Sequence, residues 1–206
     1  MSAGQATVFV VDDDPSVRQA LARLLRSAGW KVETFASADE FLGRTPGAVA
    51  GCLILDVRMP GTSGPQLHER MAERDTSLPV VFLTGHGDVT TGVRAMKQGA
   101  VDFLLKPVDD ELLLQTVRRA LDRHAAQQAS ENRRREIHAR VARLSPRELE
   151  VMKHVIGGAL NKQIAAELGI AEKTVKAHRA VVMEKMAAGS VAELVRQCDT
   201  AGIKPR

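Results

Sequence analysis

Five short apolar runs, separated by the spacing of amphipathic helices, constrain this chain more than any other feature. The runs are TVFVV (7–11), WKVETF (30–35), CLILD (52–56), PVVFLT (79–84) and VDFLLK (101–106), recurring about every 20–25 residues. Between them lie helical patterns. Val17, Leu21, Leu24 and Leu25 follow the i, i+4, i+7, i+8 rule, and Gly29 closes that helix. Leu67 with Met71 marks a second helix, and Val93 with Met96, closed by Gly99, a third. Leu112, Leu113, Val117 and Leu121 mark another. Strand and helix in alternation predict an α/β fold, a parallel sheet covered on both faces. VFVV and CLILD are nearly all apolar, as central strands buried on two sides must be.

The pattern changes at residue 122. Residues 122–143 lose strong apolar periodicity and read as a helical extension and linker. Glu131 and Glu136 interleave with the arginines, which favours a solvated helix face over an Arg-rich DNA arm. From Leu144 onward no strand-like run occurs. Ser145-Pro146-Arg147-Glu148 is a capping box with Pro at the first helical position. Leu149, Met152, Val155 and Ile156 form its apolar stripe, stopped by Gly157-Gly158. A short helix over 162–168 ends at Gly169, a longer one runs to about Ala187, and 191–198 is a final helix. Two helices joined by a tight Gly turn read as helix-turn-helix. The expected domains are 5–122, a linker at 123–143, and an all-α four-helix domain at 144–206.

Charge divides along the same line. Residues 1–125 carry 14 basic and 16 acidic side chains, residues 126–206 carry 15 and 9. A basic second half suits a polyanionic partner. Cys52 and Cys198 match no metal spacing and read as two reduced thiols of a cytosolic protein. No apolar run approaches a membrane span, and no basic region precedes the first apolar stretch, so neither a membrane segment nor a secretion signal is expected.

The first run ends in Asp12, Asp13 and Asp14, three adjacent carboxylates that repel one another. In an open parallel sheet, ligands bind outside the carboxyl ends of the strands. The third run ends in Asp56, the fourth in Thr84 and the fifth in Lys106-Pro107. Strand order 2-1-3-4-5 places all of these on one rim. Oxygen-only ligands suit a hard cation such as Mg²⁺, which would relieve the repulsion. Asp56, central among the strands, is the natural nucleophile for a phosphoryl group, with Asp12 and Asp13 as metal holders. Lys106 can pair with a carboxylate or a phosphoryl oxygen, and Thr84 can donate to another. Asp14, before Pro15, reads as a helix N-cap.

The helix around Thr174–Met186 has two faces. Val175, Val182 and Met186 point to a small core. Lys176, Ala177 and Ala180 form the face a recognition helix turns into the major groove. Lys176 can read guanine edges or bind phosphate, and the two alanines permit close approach. Lys173, Thr174, Arg179 and Lys185 are expected to hold phosphates, with Asn161 and Lys162 adding backbone contacts. His178 reads as packed or phosphate-touching. Trp30 is the only Trp and lies in the first half, so no aromatic platform for single strands is available.

VVDDDPSVR, LILDVRMPGTSGPQL, VVFLTGHGDVTTGVRAMKQGAVDFLLKP and LSPRELEVM with NKQIAAELGIAEKTVKAHR resemble the bacterial two-component response regulators. The similarity is to the FixJ type of the NarL/LuxR-like group, especially the regulators of styrene and toluene catabolism, and it covers nearly the whole chain. The resemblance implies a flavodoxin-like (βα)5 receiver phosphorylated by a histidine kinase at Asp56. It implies Mg²⁺ held by Asp13, Asp56 and the backbone carbonyl of Arg58, with Asp12 acting through water, and a cis Lys106-Pro107 bond. Phe103 occupies an aromatic switch position, behind Thr84. Arg58 and His86 would flank the phosphoryl group. A cytoplasmic transcriptional activator is implied, which dimerises on phosphorylation and binds double-stranded promoter DNA, with RNA polymerase as a further partner. A Mg²⁺-dependent phosphohydrolase is the alternative class. It needs a second Asp two residues after the nucleophile, where this chain has Arg58.

Overall fold

The computed structural model describes residues 6–44, 51–73, 78–85, 96 and 99–206. The chain forms two compact units, Met1–Gln127 and Gln128–Arg206. In the first, β1 (Thr7–Val11), β2 (Lys31–Phe35), β3 (Gly51–Asp56), β4 (Val80–Thr84) and β5 (Asp102–Leu105) make one sheet of order β2-β1-β3-β4-β5. Every pairing is parallel, with Val8 opposite Val32 and Cys52, Ile54 opposite Val81, and Leu83 opposite Leu104. The doubly wound α/β fold read from the sequence is the fold observed. The fifth strand is shorter than its apolar run, and Lys106 falls just beyond it.

Side-chain alternation sends successive residues to two cores. Val8, Val10, Ile54, Val81 and Leu83 face α1 (Pro15–Ser27) and the first turns of α4 (Asp110–Val141). Phe9, Val11, Leu53, Leu55 and Phe82 face α2 (Ala38–Gly43) and α3 (Gly64–Glu73). Each such side chain, fully buried, contributes about 1.5–3 kcal/mol, which is why the central strands β1, β3 and β4 carry almost no polar residue before their ends, whereas the edge strand β2 carries Lys31, Glu33 and Thr34. Asp14 caps α1, accepting from the backbone N–H groups of Ser16 (2.7 Å) and Val17 (3.4 Å), with Pro15 in the first turn. The helical pattern at Val93 lies outside the described residues. Met96 is helical, and Gly99 follows it with φ +92°.

The boundary between the units falls inside α4. The stretch expected as linker is helical to Val141, and its second half packs with the second unit, where Ile137 is buried. The rest of that unit is α5 (Pro146–Ile156), α6 (Asn161–Leu168), α7 (Glu172–Lys185) and α8 (Val191–Ala201). Ser145 and Glu148 form the expected capping box. Val151, Met152, Ile164, Val175, Val182, Met186 and Leu194 fill the core. Gly169 ends α6 in the left-handed region (φ +63°), which lets the chain turn sharply into α7. α8 runs three residues past its expected end because Ala201 still reaches the core before Gly202 caps the helix.

Candidate functional site

Asp12, Asp56, Thr84 and Lys106 stand at the carboxyl ends of four adjacent strands. Asp12, Asp56 and Thr84 are buried. The Lys106 ammonium donates to Asp12 Oδ2 at 2.6 Å and to Asp56 Oδ1 at 2.5 Å. Backbone donors take two further oxygens: Asp14 N–H to Asp12 Oδ1 (3.0 Å) and Arg58 N–H to Asp56 Oδ2 (2.7 Å). Lys106 N–H donates to the Thr84 carbonyl at 2.6 Å, which ties the lysine to the end of β4. The Lys106-Pro107 peptide is cis.

From the sequence, a metal ion is expected to relieve the carboxylate repulsion. In this structure Lys106 offsets part of that repulsion by donating to both acids. Asp13 is exposed, beside the buried Asp12. The acids of the rim, Asp12, Asp13 and Asp56, offer the oxygen ligands that suit a hard cation. One ammonium between two acids leaves an excess negative charge. Burial pushes the Asp56 carboxyl above its ordinary value, with Asp12 adding to the rise and Lys106 only partly offsetting it. Burial alone would lower Lys106. The hydrogen bonds and charges of Asp12 and Asp56 outweigh that and hold it above its ordinary value.

Two supports of the rim were not read from the sequence. Arg18, on α1, donates to the Asp12 carbonyl at 2.6 Å and fixes the start of the acidic loop. Gly64 begins α3 directly against β3. A Cβ there would lie 2.2 Å from the Asp56 carbonyl oxygen, so only glycine permits the approach. Phe103 is half-buried, its ring 6.5 Å from that of Phe82, which in turn meets His68 edge-on at 5.7 Å. His86 lies outside the described residues.

In the second unit, Val175, Val182 and Met186 of the α7 region are buried. Lys173, Thr174, Lys176, Ala177 and Ala180 are exposed, as is Lys162 on α6. Lys176 is paired with Glu172 at 3.5 Å. Arg179 is half-buried and donates to Asn161 Oδ1 at 2.7 Å, which braces α7 against the start of α6. Lys185 departs from its expected role as a phosphate holder. Its ammonium lies 2.6 Å from Glu148 Oε2, so the charge is committed inside the unit. No apolar helix long enough to cross a membrane occurs among the described residues.

A match to the response regulator receiver domain covers residues 8–118, and one to the bacterial regulatory proteins of the luxR family covers 142–198. Nodulation protein W of Bradyrhizobium diazoefficiens is 48% identical over 199 residues, spanning 97% of this chain and 88% of that protein. Transcriptional regulatory protein FixJ of Azorhizobium caulinodans is 46% identical over 198 residues, 96% of this chain and 94% of its own. The solved structure of response regulator StyR superposes with a TM-score of 0.87 at 45% identity, covering 95% of this chain and 98% of that one.

Proposed function

We propose, from a chain that belongs to the response regulators joining a receiver domain to a LuxR-type DNA-binding domain, that Asp56 accepts a phosphoryl group and thereby governs promoter binding. Members of this family are transcription regulators of two-component systems rather than enzymes. The receiver implies a histidine kinase partner, and the LuxR-type domain implies DNA binding. The domains we assign are a receiver over 5–122, a helical linker over 123–143 and the DNA-binding domain over 144–206.

One observation carries the reading: a single lysine bridges two buried carboxylates at the open end of the sheet. Such a rim has an acid to act as nucleophile and a cation to receive the new charge. Asp56 attacks phosphorus, the N–P bond of the kinase phosphohistidine breaks, and the imidazole nitrogen keeps the bonding pair and takes up a proton. Lys106 transfers a hydrogen bond from the carboxylate to a phosphoryl oxygen, and the Thr84 hydroxyl donates to another. Asp12, Asp13, Asp56 and the Arg58 carbonyl would hold Mg²⁺, which neutralises phosphoryl charge when bound. Phe103 then follows Thr84 inward. The surface formed by β5 and the start of α4 changes with it and favours a homodimer. Two DNA-binding domains on two half-sites gain affinity through effective concentration. A coupling of about 1–3 kcal/mol suffices. Lys162, Lys173, Thr174, Lys176, Ala177, Arg179 and Ala180 form the DNA face, Arg179 chiefly by bracing. The protein would act in the cytoplasm as an activator, in contact with RNA polymerase.

Promoter binding, with and without acetyl phosphate plus Mg²⁺, tests the proposal in wild type and Asp56→Asn. Wild type should take up one phosphoryl group and bind its promoter more tightly, and the variant should do neither. Equal labelling of both proteins would sink the assignment.

A further inference from the structure

A second charged feature lies on the first unit, between α1 and the edge strand β2. It is a groove of about 430 Å³ lined by Arg18, Arg23 and Arg26, with Gln19 and Thr34. No carboxylate lines it among the described residues, and none of the three arginines has an ion-pair partner there. This is anomalous in a half-chain with more acids than bases. Each guanidinium is instead anchored by a backbone carbonyl: Arg18 by Asp12 (2.6 Å), Arg23 by Gln19 (3.4 Å) and Arg26 by Val32 (3.4 Å). A carbonyl orients a guanidinium without neutralising it, and four other N–H donors remain on each.

A comparable groove in the second unit shows what a closed arrangement looks like. It is lined by Arg133, Arg140 and Arg196, but also by Glu136 and Glu193, and Arg140 is paired with Glu136. The α1 groove has the cations without the acids. We propose that it binds a ligand carrying two or more linked phosphates, seated on Arg18, Arg23 and Arg26. Arginine forks match phosphate oxygens two at a time. From Arg18 to Arg26 the helix rises about 12 Å, too far for one phosphate to serve all three, whereas a chain of linked phosphates spans more of it. Arg18 also holds the Asp12 carbonyl, so a bound ligand shares a residue with the acidic rim.

Calorimetric titration of the full-length protein with inorganic pyrophosphate and with a nucleoside triphosphate tests this. A chelator is included, so the outcome depends on neither a divalent ion nor phosphoryl transfer to Asp56. Saturable binding at one site is expected, weakened about tenfold in Arg23→Ala/Arg26→Ala. Tighter binding of the nucleotide than of pyrophosphate would show that the nucleoside contributes; equal binding assigns affinity to the phosphates alone. Both side chains are exposed, so the variant should keep its melting temperature, and Arg23→Gln/Arg26→Gln serves as a second variant. Absence of saturable binding overturns the proposal. So does binding that persists in the groove variants but disappears in Lys173→Ala/Lys176→Ala, because that assigns the anion to the DNA face.

Discussion

Two lysines, one in each unit, hold carboxylates at nearly the same distance, yet their balances are opposite. Lys106 serves both Asp12 and Asp56 at 2.6 and 2.5 Å, leaving one acid in excess at the open end of the sheet. Lys185 serves Glu148 alone at 2.6 Å, and that acid also accepts from the Ser145 backbone as part of a helix cap. The first carboxyl, Asp56, is held above its ordinary value, mostly by burial, and the second, Glu148, below its own, mostly by the lysine hydrogen bond. A saturated pair fixes a fold. An unsaturated one keeps a reactive acid at hand.

The comparison is broken most forcefully by removing each cation. Lys106→Met leaves two buried carboxylates without a counter-charge and should destabilise the first unit by about 3 kcal/mol. Lys185→Met should lower stability less, since it leaves one carboxylate rather than two without a counter-charge, and Glu148 is the most exposed of the three acids. Chemical denaturation of the full chain checks the ranking. An equal loss for both would mean that the double duty of Lys106 has no energetic weight.

A second contrast sets Lys185 against the lysines of the same unit that face outward. Lys173→Ala with Lys176→Ala should weaken promoter binding about tenfold and reduce the slope of log affinity against log salt by about 0.9 for each phosphate no longer neutralised. Lys185→Ala should leave that slope unchanged, because its charge is already spent on Glu148. Salt titrations of DNA binding measure both. A reduced slope for Lys185→Ala would return it to the DNA face.

Neutralising one acid at a time sharpens the contrast into a difference of sign. Asp56→Asn removes a partly desolvated like charge and should stabilise the protein by about 1 kcal/mol in the absence of metal. Glu148→Gln weakens a favourable pair and a cap together, and should lower the melting temperature. Two shifts of the same sign would contradict the account of the two sites.

What was legible in the sequence follows from range. Strands buried on both faces write continuous apolar runs, so VFVV and CLILD disclosed the sheet. Caps act within three residues, so Asp14 and the Ser145–Glu148 box were readable from neighbours alone. Asp12, Asp56 and Lys106 could be joined because the strand order puts their strand ends side by side. That Lys106 could pair with a carboxylate was readable, but that one ammonium bridges both Asp12 and Asp56 depends on side-chain reach, which no spacing encodes. Lys185 meeting Glu148, Arg179 meeting Asn161 and Arg18 meeting the Asp12 carbonyl depend on helix rotation and crossing. Ile137, Val141 and Leu144 stand at i, i+4 and i+7, the signal that ties the end of α4 to the second core, but two turns among charges are too short a run to distinguish from a solvated helix face.

The smallest effect is the most specific, since pH should disturb the two sites from opposite ends. Glu148 is depressed below 4.5, so its contribution is present above 4.5 and lost as pH falls through the lower, folded value. Lys106 is raised above 10.5, so its contribution is present below 10.5 and lost as pH rises through the higher, folded value. Asp56, raised above 3.8, works against the folded state when charged, and acid relieves it. Acid should therefore weaken the second unit first and alkali the first. Trp30, the single tryptophan, is buried in the first unit and reports on it by fluorescence, while helical ellipticity reports on both. Below pH 4.5, ellipticity should be lost at a lower temperature than the Trp30 signal, and above pH 10.5 the Trp30 signal should move to lower temperature. Coincident transitions at both extremes would show that neither lysine sets the pH limits of its unit.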